Sequence, residues 1–356
     1  MRPLMLAAAF AAALAPPLQA IAEPVADFYR GRQMQMVIRT TVGGGYDAYS
    51  RLLARHIGRF IPGNPSVMPV NMPGGGGIVA ANYMGSRAPK DGSVISIISQ
   101  GLPIDQALGL NKSLQVDLRQ LGWLGNMSGS NQVLVVWHTS PTNSLEDAKS
   151  RVTTIGSTGA GSISVQLPAV YNNVLGTKFR IVFGYPGGAE IDLAMQRGEV
   201  DGRGTNPWAD YKATTPDYVR RKLIQPLIQV GLAKDPDLPD VPLLRELAPT
   251  PEGQEILDFM TKAVAVGRPL ATSPGVPAER VAALRKAFKD TLADPEFRND
   301  AERQRSEVRF MSGDDLTSLV RAVIEAPQAV RDKVGAAIAP PTDAVKEIKT
   351  EGRKGQ

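Results

Sequence analysis

The residues with the clearest chemical potential in this chain are glycines that lie between a strand-like run and a helix-like run. Residues 37 to 57 read VIRTTVGGGYDAYSRLLARHI. A helix that begins after such a turn presents unpaired backbone N–H groups and the positive end of its dipole, and glycine lets a ligand approach the backbone closely. The chemistry that this arrangement favours is the binding of an anion.

Three further stretches repeat the arrangement, namely NMPGGGGIVAAN, GSTGAGSIS and GYPGGAEID. VGGGYD and STGAGS hold corresponding positions in two successive α/β units, so we expect these two turns to face each other across a cleft. Tight packing of a helix on a sheet is the alternative explanation for any one of these turns. None of them matches the phosphate-binding patterns G-x-x-x-x-G-K-[ST] or G-x-G-x-x-G, which argues against a nucleotide ligand.

Residues suited to catalysis or metal binding are sparse. The chain has no cysteine, which excludes disulfides, thiolate zinc sites and cysteine nucleophiles. His56 and His138 lie in no metal-binding or catalytic spacing, and we interpret His56 as a packing histidine. No G-x-S-x-G motif exposes a nucleophilic serine. We therefore expect a binding protein without cofactor or metal, with an exported α/β enzyme acting on an organic acid as the alternative.

Three side chains near the turns have two possible roles each. Tyr46 either contacts a solute at the mouth of its helix or packs in the interior. Asp47, in the first turn of the same helix, is better suited to the helix dipole than to a carboxylate ligand, which it would repel. Trp208 is either a core residue or a wall of the pocket.

The basic residues do not form a nucleic-acid surface. The net charge is +5, or +4 without Arg2, and no basic stripe is interleaved with aromatic residues. Arg51, Arg55 and Arg59 follow a spacing of four and are expected to form a solvated helix stripe, or else a docking surface for a membrane partner. The mild positive bias favours a small anionic ligand.

The elements that must position the glycine turns alternate between strand and helix. MQMVIRT, SVMPVNMP and SVISIIS have strand patterns, and residues 47–60 carry apolar side chains at helical spacing. A second set begins at NQVLVVWHTS, continues with a helix capped by Ser144, and contains Pro168 inside a later helix, where a bend or a delayed start is expected. Such alternation predicts an α/β fold with parallel sheets whose ligands lie at the carboxyl ends of the strands.

The length of 356 residues exceeds one ordinary core, so we expect two lobes around a central cleft. We assign residues 23–128 plus 233–340 to lobe 1 and residues 129–232 to lobe 2. The two chain crossings then lie near residues 126 to 132 and 229 to 236.

Both ends of the chain are expected to lie outside these lobes. Residues 1–22 combine Arg2, an apolar run and small residues spaced A-x-A, which is the pattern of a secretory signal peptide and predicts a periplasmic protein; a buried or anchoring helix is the alternative. No later run reaches the length of a membrane span, so the protein is not expected to be membrane-embedded. Residues 341–356 lack an apolar period and are expected to be a disordered tail.

The order of these motifs, together with LPDVPLLRELA and ATSPGVPAERVAALRKAFKDTL, resembles the Bug family over residues 33 to 338. Bug proteins are the substrate-binding proteins of tripartite tricarboxylate transporters. The resemblance implies a type II periplasmic-binding-protein fold that closes on a small carboxylate solute. It also implies the membrane permease subunits of such a transporter as partners. A separate hypothesis, which does not exclude transport, is that the protein is the ligand sensor for a membrane histidine kinase. We expect a monomer.

Aligned position by position, the resemblance implies a set of ligand-binding residues drawn from the strand-to-helix loops of both lobes. We expect the carboxylate to be bound by helix N-termini and backbone N–H groups and not by a buried arginine. The set comprises Thr41, Val42, Gly43, Gly44, Gly45, Tyr46, Asp47, Ser99, Gln100, Ser157, Thr158, Gly159, Ala160, Gly161, Ser162, Tyr185, Gly187, Gly188, Asn206 and Trp208.

Overall fold

The computed structural model of the chain describes residues 24–129, 131–159, 162–231, 233–339 and 345–347. The predicted signal peptide and two of the predicted ligand-binding residues, Ala160 and Gly161, lie outside these ranges.

The strands of the described residues form two six-stranded sheets, one in each half of a two-lobed α/β molecule. The strands are β1 Gln33–Ile38, β2 Ser66–Asn71, β3 Val94–Ile97, β4 Gly122–Asn126, β5 Gln132–Trp137, β6 Thr153–Ser157, β7 Phe179–Phe183, β8 Gly202–Pro207, β9 Ile224–Val230, β10 Pro269–Thr272, β11 Met311–Ser312 and β12 Val345–Glu347.

Both sheets are mixed, whereas parallel sheets were predicted. The first has the order β11-β4-β10-β3-β1-β2 and the second β12-β7-β6-β8-β5-β9. β10 is antiparallel to β3 and β4, and β5 is antiparallel to β8 and β9. Each of these strands is the first to enter its sheet after the chain leaves the other one. The chain leaves at a carboxyl edge and enters at the facing carboxyl edge, so the entering strand runs opposite to its neighbours.

The helices cover both faces of each sheet, as the alternating sequence pattern predicts. They are α1 Val25–Tyr29, α2 Gly45–Ile57, α3 Ile78–Ser86, α4 Leu102–Leu108, α5 Leu145–Ser150, α6 Ile163–Val170, α7 Gly188–Gln196, α8 Trp208–Thr214, α9 Pro216–Arg220, α10 Pro251–Val264, α11 Ala278–Ala293, α12 Pro295–Arg303, α13 Gly313–Ile324 and α14 Gln328–Ile338.

Apolar clusters on the sheet faces hold these helices in place. On the first sheet, α2, α11 and α12 pack on one face, where Leu52 and Phe288 are fully buried, and α3 and α13 pack on the other. On the second sheet, α6, α10 and α14 cover one face and α7, α8 and α9 the other. Burial at about 25 cal/mol per Å² of apolar surface makes these clusters the main stabilising term, since the chain has no disulfide.

The C-terminal part of the chain is shared between the two sheets. α11, α12 and α13 return to the first sheet. α10 and α14 instead contribute Met260 and Val334 to the cluster that contains β5, β9 and α6. The described part of the predicted tail, Val345–Glu347, forms β12 and pairs in parallel with β7. The hydrophobic pattern of a helix shows which face is apolar but not which sheet will bury it.

Candidate functional site

The site is built where helix N-termini follow strand ends at the facing edges of the two sheets. α2 begins at Gly45, after an extended Gly44 with φ −88° and ψ 170°, and α7 begins at Gly188. The two starts meet across the cleft, because a β-carbon built on Gly44 would lie 3.4 Å from the backbone nitrogen of Gly188. Two positive dipole ends from different lobes therefore converge, which favours a negative charge between them.

A second pair of glycine turns meets beside the first. A β-carbon built on Gly159 would lie 2.5 Å from the backbone nitrogen of Gly76. Gly76 belongs to a run of four glycines, residues 74–77, that all have positive φ values. VGGGYD and STGAGS thus border the same cavity from opposite lobes, but their direct contacts are with other turns: the first turn contacts PGGAE, and STG contacts the four-glycine run.

The turns border a cavity of about 40 Å³ between the lobes. The lobes are thus closed on each other. The cavity is lined from both lobes, and nine of the predicted ligand-binding residues contribute to its wall: Gly44, Gly45, Tyr46, Ser99, Gln100, Thr158, Ser162, Gly188 and Asn206.

Four other predicted residues lie next to the cavity, where turns of the two lobes touch each other. Thr41 donates a hydrogen bond from Oγ1 to Glu190 Oε1 in the other lobe, at 2.7 Å. A β-carbon built on Gly187 would lie 2.6 Å from the same threonine oxygen, and one built on Gly43 would contact Ala189. Together with Gly159, these residues form lobe-to-lobe contacts and do not line the cavity.

The other predicted residues have roles within their own lobes. Val42 is 64% exposed, and Asp47 accepts a hydrogen bond from the backbone N–H of Gly43 at 3.0 Å, so its carboxylate serves the turn. Tyr185 and Trp208 pack in the apolar cluster on the outer face of the second sheet. Trp208 also donates from Nε1 to Asp237 Oδ2 at 3.3 Å, so of its two possible roles the core one applies.

Ser157 has a local role that explains the unbroken helix at Pro168. Proline cannot donate to the carbonyl four residues earlier, which here is the carbonyl of Ser164. The Ser157 hydroxyl donates to this oxygen at 2.6 Å and replaces the missing bond. α6 therefore continues through Pro168 and ends in a π-helical turn, Tyr171–Leu175. The helix starts at a normal cap, because Ser162 Oγ accepts from the N–H of Ser164.

Two buried arginines, Arg39 and Arg203, line the cavity, and a third, Arg268, lies beside it against Tyr46. That the carboxylate is bound by backbone N–H groups and not by a buried arginine stays a prediction. Arg39, Arg203 and Arg268 are 5%, 8% and 2% exposed. Arg203 donates from Nη1 to Asp192 Oδ1 at 3.0 Å, and Arg268 forms an ion pair with Asp210 across the cleft. Sequence reasoning missed these residues because a lone arginine at a strand end usually points to solvent. For Arg39, the position directly after the apolar strand β1, at the carboxyl edge of the sheet, was the available signal.

Ion pairs with carboxylates stabilise the charged form of two of these arginines. Burial disfavours the charge of Arg203, but the attraction of Asp192, Tyr211 and Asp210 outweighs burial and raises the pKa of Arg203. Burial likewise opposes the charge of Arg268, and Asp210 is the main group that reverses the effect and raises the pKa of Arg268. Both guanidiniums are therefore already neutralised by protein carboxylates.

The ring of Tyr46 lines the cavity and packs against two arginine side chains. The guanidinium carbons of Arg39 and Arg268 lie 4.3 and 4.7 Å from its centroid, within the range of cation–π contacts. Its hydroxyl accepts a hydrogen bond from the backbone N–H of Gln100 at 3.4 Å. Tyr46 thus packs and also faces the cavity.

The helix face with His56 is structural. His56 Nε2 lies 2.9 Å from Asp300 Oδ2 on α12, and its ring meets Phe297 edge-on, which confirms a satisfied packing histidine. Arg55 pairs with the same Asp300, and Arg59 pairs with Asp294, while both side chains stay 48% and 44% exposed. These two arginines of the predicted solvated stripe therefore also contact α12.

A wider groove of about 990 Å³ lies on the surface between α8–α9 and the segment that follows α12. It is open to solvent and contains no glycine turn. Within the described ranges, no group of three His, Asp or Glu residues could hold a metal ion, and no helix is long and apolar enough to cross a membrane.

The fold and the interlobe cavity define a two-lobed solute-binding protein. The chain matches the tripartite tricarboxylate transporter family receptor over residues 54–335. Because this match covers more than half of its length, the chain belongs to that family, whose members are solute-binding proteins and not enzymes. The resemblance to Bug proteins is thereby confirmed.

Individual relatives agree with this assignment. The chain is 26% identical over 325 residues to a UPF0065 protein encoded in the gbd 5' region of Cupriavidus necator, covering 89% of this chain and 91% of the relative. The periplasmic binding protein BugD has a similar fold, with a TM-score of 0.70, 19% identity, and coverage of 87% of this chain and 98% of BugD. MatC from Rhodopseudomonas palustris, solved with bound malate, has a TM-score of 0.67, 20% identity, and coverage of 85% and 99%.

Proposed function

We propose that this receptor binds a small carboxylate-bearing solute between its lobes in the periplasm and delivers it to the membrane permease subunits of a tripartite transporter. The observation that carries the proposal is the convergence of the α2 and α7 N-termini on one cavity between the lobes. Backbone N–H groups at helix starts bind anions without a cost in side-chain entropy. The malate in MatC and the adipate in another R. palustris structure of similar fold are both carboxylates, which supports this ligand class.

Closure is the step that gives the bound state its affinity. Gln166 of α6 donates to the carbonyl of Gly101 at 3.2 Å, and Thr41 donates to Glu190. Closure of the two lobes therefore adds polar contacts between them. These contacts exist only when the lobes meet. A solute that touches both lobes shifts the population towards this state, with the hinge at the segments that join β4 to β5 and β9 to β10.

Solute selection rests on side chains that line the cavity beyond the glycine turns. Ser99 and Gln100 contribute from the first lobe, and Thr158, Ser162 and Asn206 from the second. Each offers hydroxyl or amide groups that donate or accept hydrogen bonds. These residues would distinguish one carboxylic acid from another after the glycine turns have bound its charge.

A thermal-shift screen against mono-, di- and tricarboxylates, with their uncharged amides as controls, tests the binding role. A solute at one hundred times its Kd should stabilise the native state by about 2.7 kcal/mol. Absence of stabilisation by every carboxylate would contradict the proposal. Loss of cellular uptake of the identified solute on deletion of either this receptor or its permease would establish delivery, and uptake that persists without the receptor would contradict it.

A further inference from the structure

Arg39 differs from the other two cleft arginines in having no carboxylate partner. It follows directly after β1, lines the cavity and is 5% exposed. Among the described residues, no Asp or Glu lies within ion-pair distance of it, while Arg203 and Arg268 are each paired. One positive charge at the cavity wall is therefore uncompensated by a protein carboxylate.

The four-glycine run, residues 74–77, packs against this guanidinium and accepts a hydrogen bond from it. Arg39 donates from Nη2 to the carbonyl of Gly76 at 2.7 Å. A β-carbon built on Gly77 would lie 2.6 Å from Arg39 Nε, so only glycine leaves room there. The stacked ring of Tyr46 closes the other side. These contacts fix the plane of the guanidinium but leave the buried Nε without a hydrogen-bond partner among the described residues.

A buried, unpaired guanidinium is costly, because arginine keeps its proton at physiological pH and has lost its water. Burial lowers the pKa of Arg39, and although Tyr46 acts in the opposite direction, the neighbouring cations Arg268 and Arg203 lower the pKa further. An anion placed in the cavity would remove this penalty. It would also provide an oxygen acceptor for the guanidinium N–H groups that do not donate to Gly76.

We propose that Arg39 is the side chain that binds the solute's carboxylate, in concert with the glycine-turn amides. The inference rests on the proposed function, since it names the side-chain partner of the same solute. Its consequence is a preference for a charged carboxylate, which has two acceptor oxygens, over a neutral carboxamide. Lysine would not reproduce that preference fully, because an ammonium lacks the planar fork.

The experiment uses the carboxylate found in the screen and its carboxamide analogue, measured by calorimetry on the wild type, Arg39→Gln and Arg39→Lys. The matched control is Arg32→Gln, an arginine near the other end of β1 that stacks on Phe28 at 4.2 Å away from the cavity. We expect Arg39→Gln to weaken carboxylate binding by roughly 100-fold and carboxamide binding by less than about threefold. Arg39→Lys should give an intermediate loss, and Arg32→Gln should have no effect.

The outcomes separate the two proposals. Equal weakening of carboxylate and carboxamide in Arg39→Gln, or carboxylate binding within about threefold of wild type, would overturn the role of Arg39 and leave the receptor function intact. A wild-type protein that binds no carboxylate would overturn both. If Arg39→Gln does not fold, the same comparison in Arg39→Lys decides: an undiminished ratio of carboxylate to carboxamide affinity would overturn the inference.

Discussion

Arg268 of the first lobe donates a hydrogen bond to Asp210 of the second lobe, and both side chains are 2% exposed. The pair spans the cleft, so opening of the lobes would separate the two charges. On opening, both charges regain water, so the ion pair adds little net stability but makes closure depend on both partners. Asp210 also lies against the start of α2, where a β-carbon on Gly45 would collide with its carboxylate.

Removing one partner of this pair should therefore favour the open state. In Asp210→Asn the guanidinium of Arg268 remains buried without a carboxylate, which costs about 3–5 kcal/mol in the closed form. We expect weaker solute affinity and a larger radius of gyration by small-angle X-ray scattering at a fixed solute concentration. The double variant Asp210→Asn with Arg268→Met should recover part of the affinity. A single variant that closes and binds like the wild type would contradict the role of the pair.

The two apposed glycine pairs predict different tolerances for the same substitution. Neither Gly44 nor Gly159 has a left-handed φ, so alanine fits both backbones. At Gly44 the new methyl group would meet Gly188 at 3.4 Å, whereas at Gly159 it would meet Gly76 at 2.5 Å. We expect Gly44→Ala to bind within about tenfold of wild type and Gly159→Ala to lose about 100-fold or more.

The unfolding midpoint of both ligand-free variants is the control for that comparison. It should stay within a few degrees of wild type, because the collisions exist only between closed lobes. If Gly159→Ala binds as tightly as Gly44→Ala, the lobes do not close as described here.

Because of Asp105 on α4, the free energy of unfolding should decrease as the pH rises through the mildly acidic range. Burial raises its pKa to about 6 from an ordinary 3.8, and the backbone N–H of Asn111 lowers it to a smaller extent. The ionised form is thus disfavoured in the folded state. The resulting destabilisation is absent below pH 4 and complete above pH 6, where it reaches up to about 3 kcal/mol.

Asp105→Asn removes this titration. Urea unfolding between pH 4 and pH 7 should show a variant that is more stable than wild type at pH 7 and equal to it near pH 4. A variant that is destabilised at pH 7 would show that the Asp105 carboxylate is needed in its charged form.

Asp300 should have the opposite pH dependence. Burial opposes its charge, but hydrogen bonds from His56 and Arg55 outweigh burial and hold the pKa of Asp300 well below its usual range. A depressed carboxyl pKa contributes stability that is present above about pH 4 and is lost as the pH falls further. We expect Asp300→Asn to lower the free energy of unfolding at pH 7 by about 1–2 kcal/mol. The exposed Glu296→Gln, on the same helix, serves as the control and should change it by less than about 0.5 kcal/mol.

Local rules predicted the local parts of the fold. Ser144 caps α5 by accepting from the N–H of Asp147 at 3.1 Å, and the strand-to-helix glycine turns occur where the sequence places them. Long-range partners did not follow from sequence. Gly159 contacts Gly76 and not the VGGG turn, and this depends on how the two lobes meet. The burial of Arg39 depends on glycines that lie about 37 residues later in the chain.

A co-crystal structure with the tightest carboxylate from the screen is the most direct test of the central claim. We expect a carboxylate between the N-termini of α2 and α7, with hydrogen bonds from backbone N–H groups of both lobes. A carboxylate held by one lobe alone, or one bound in the wider groove beside α8 and α12, would contradict it.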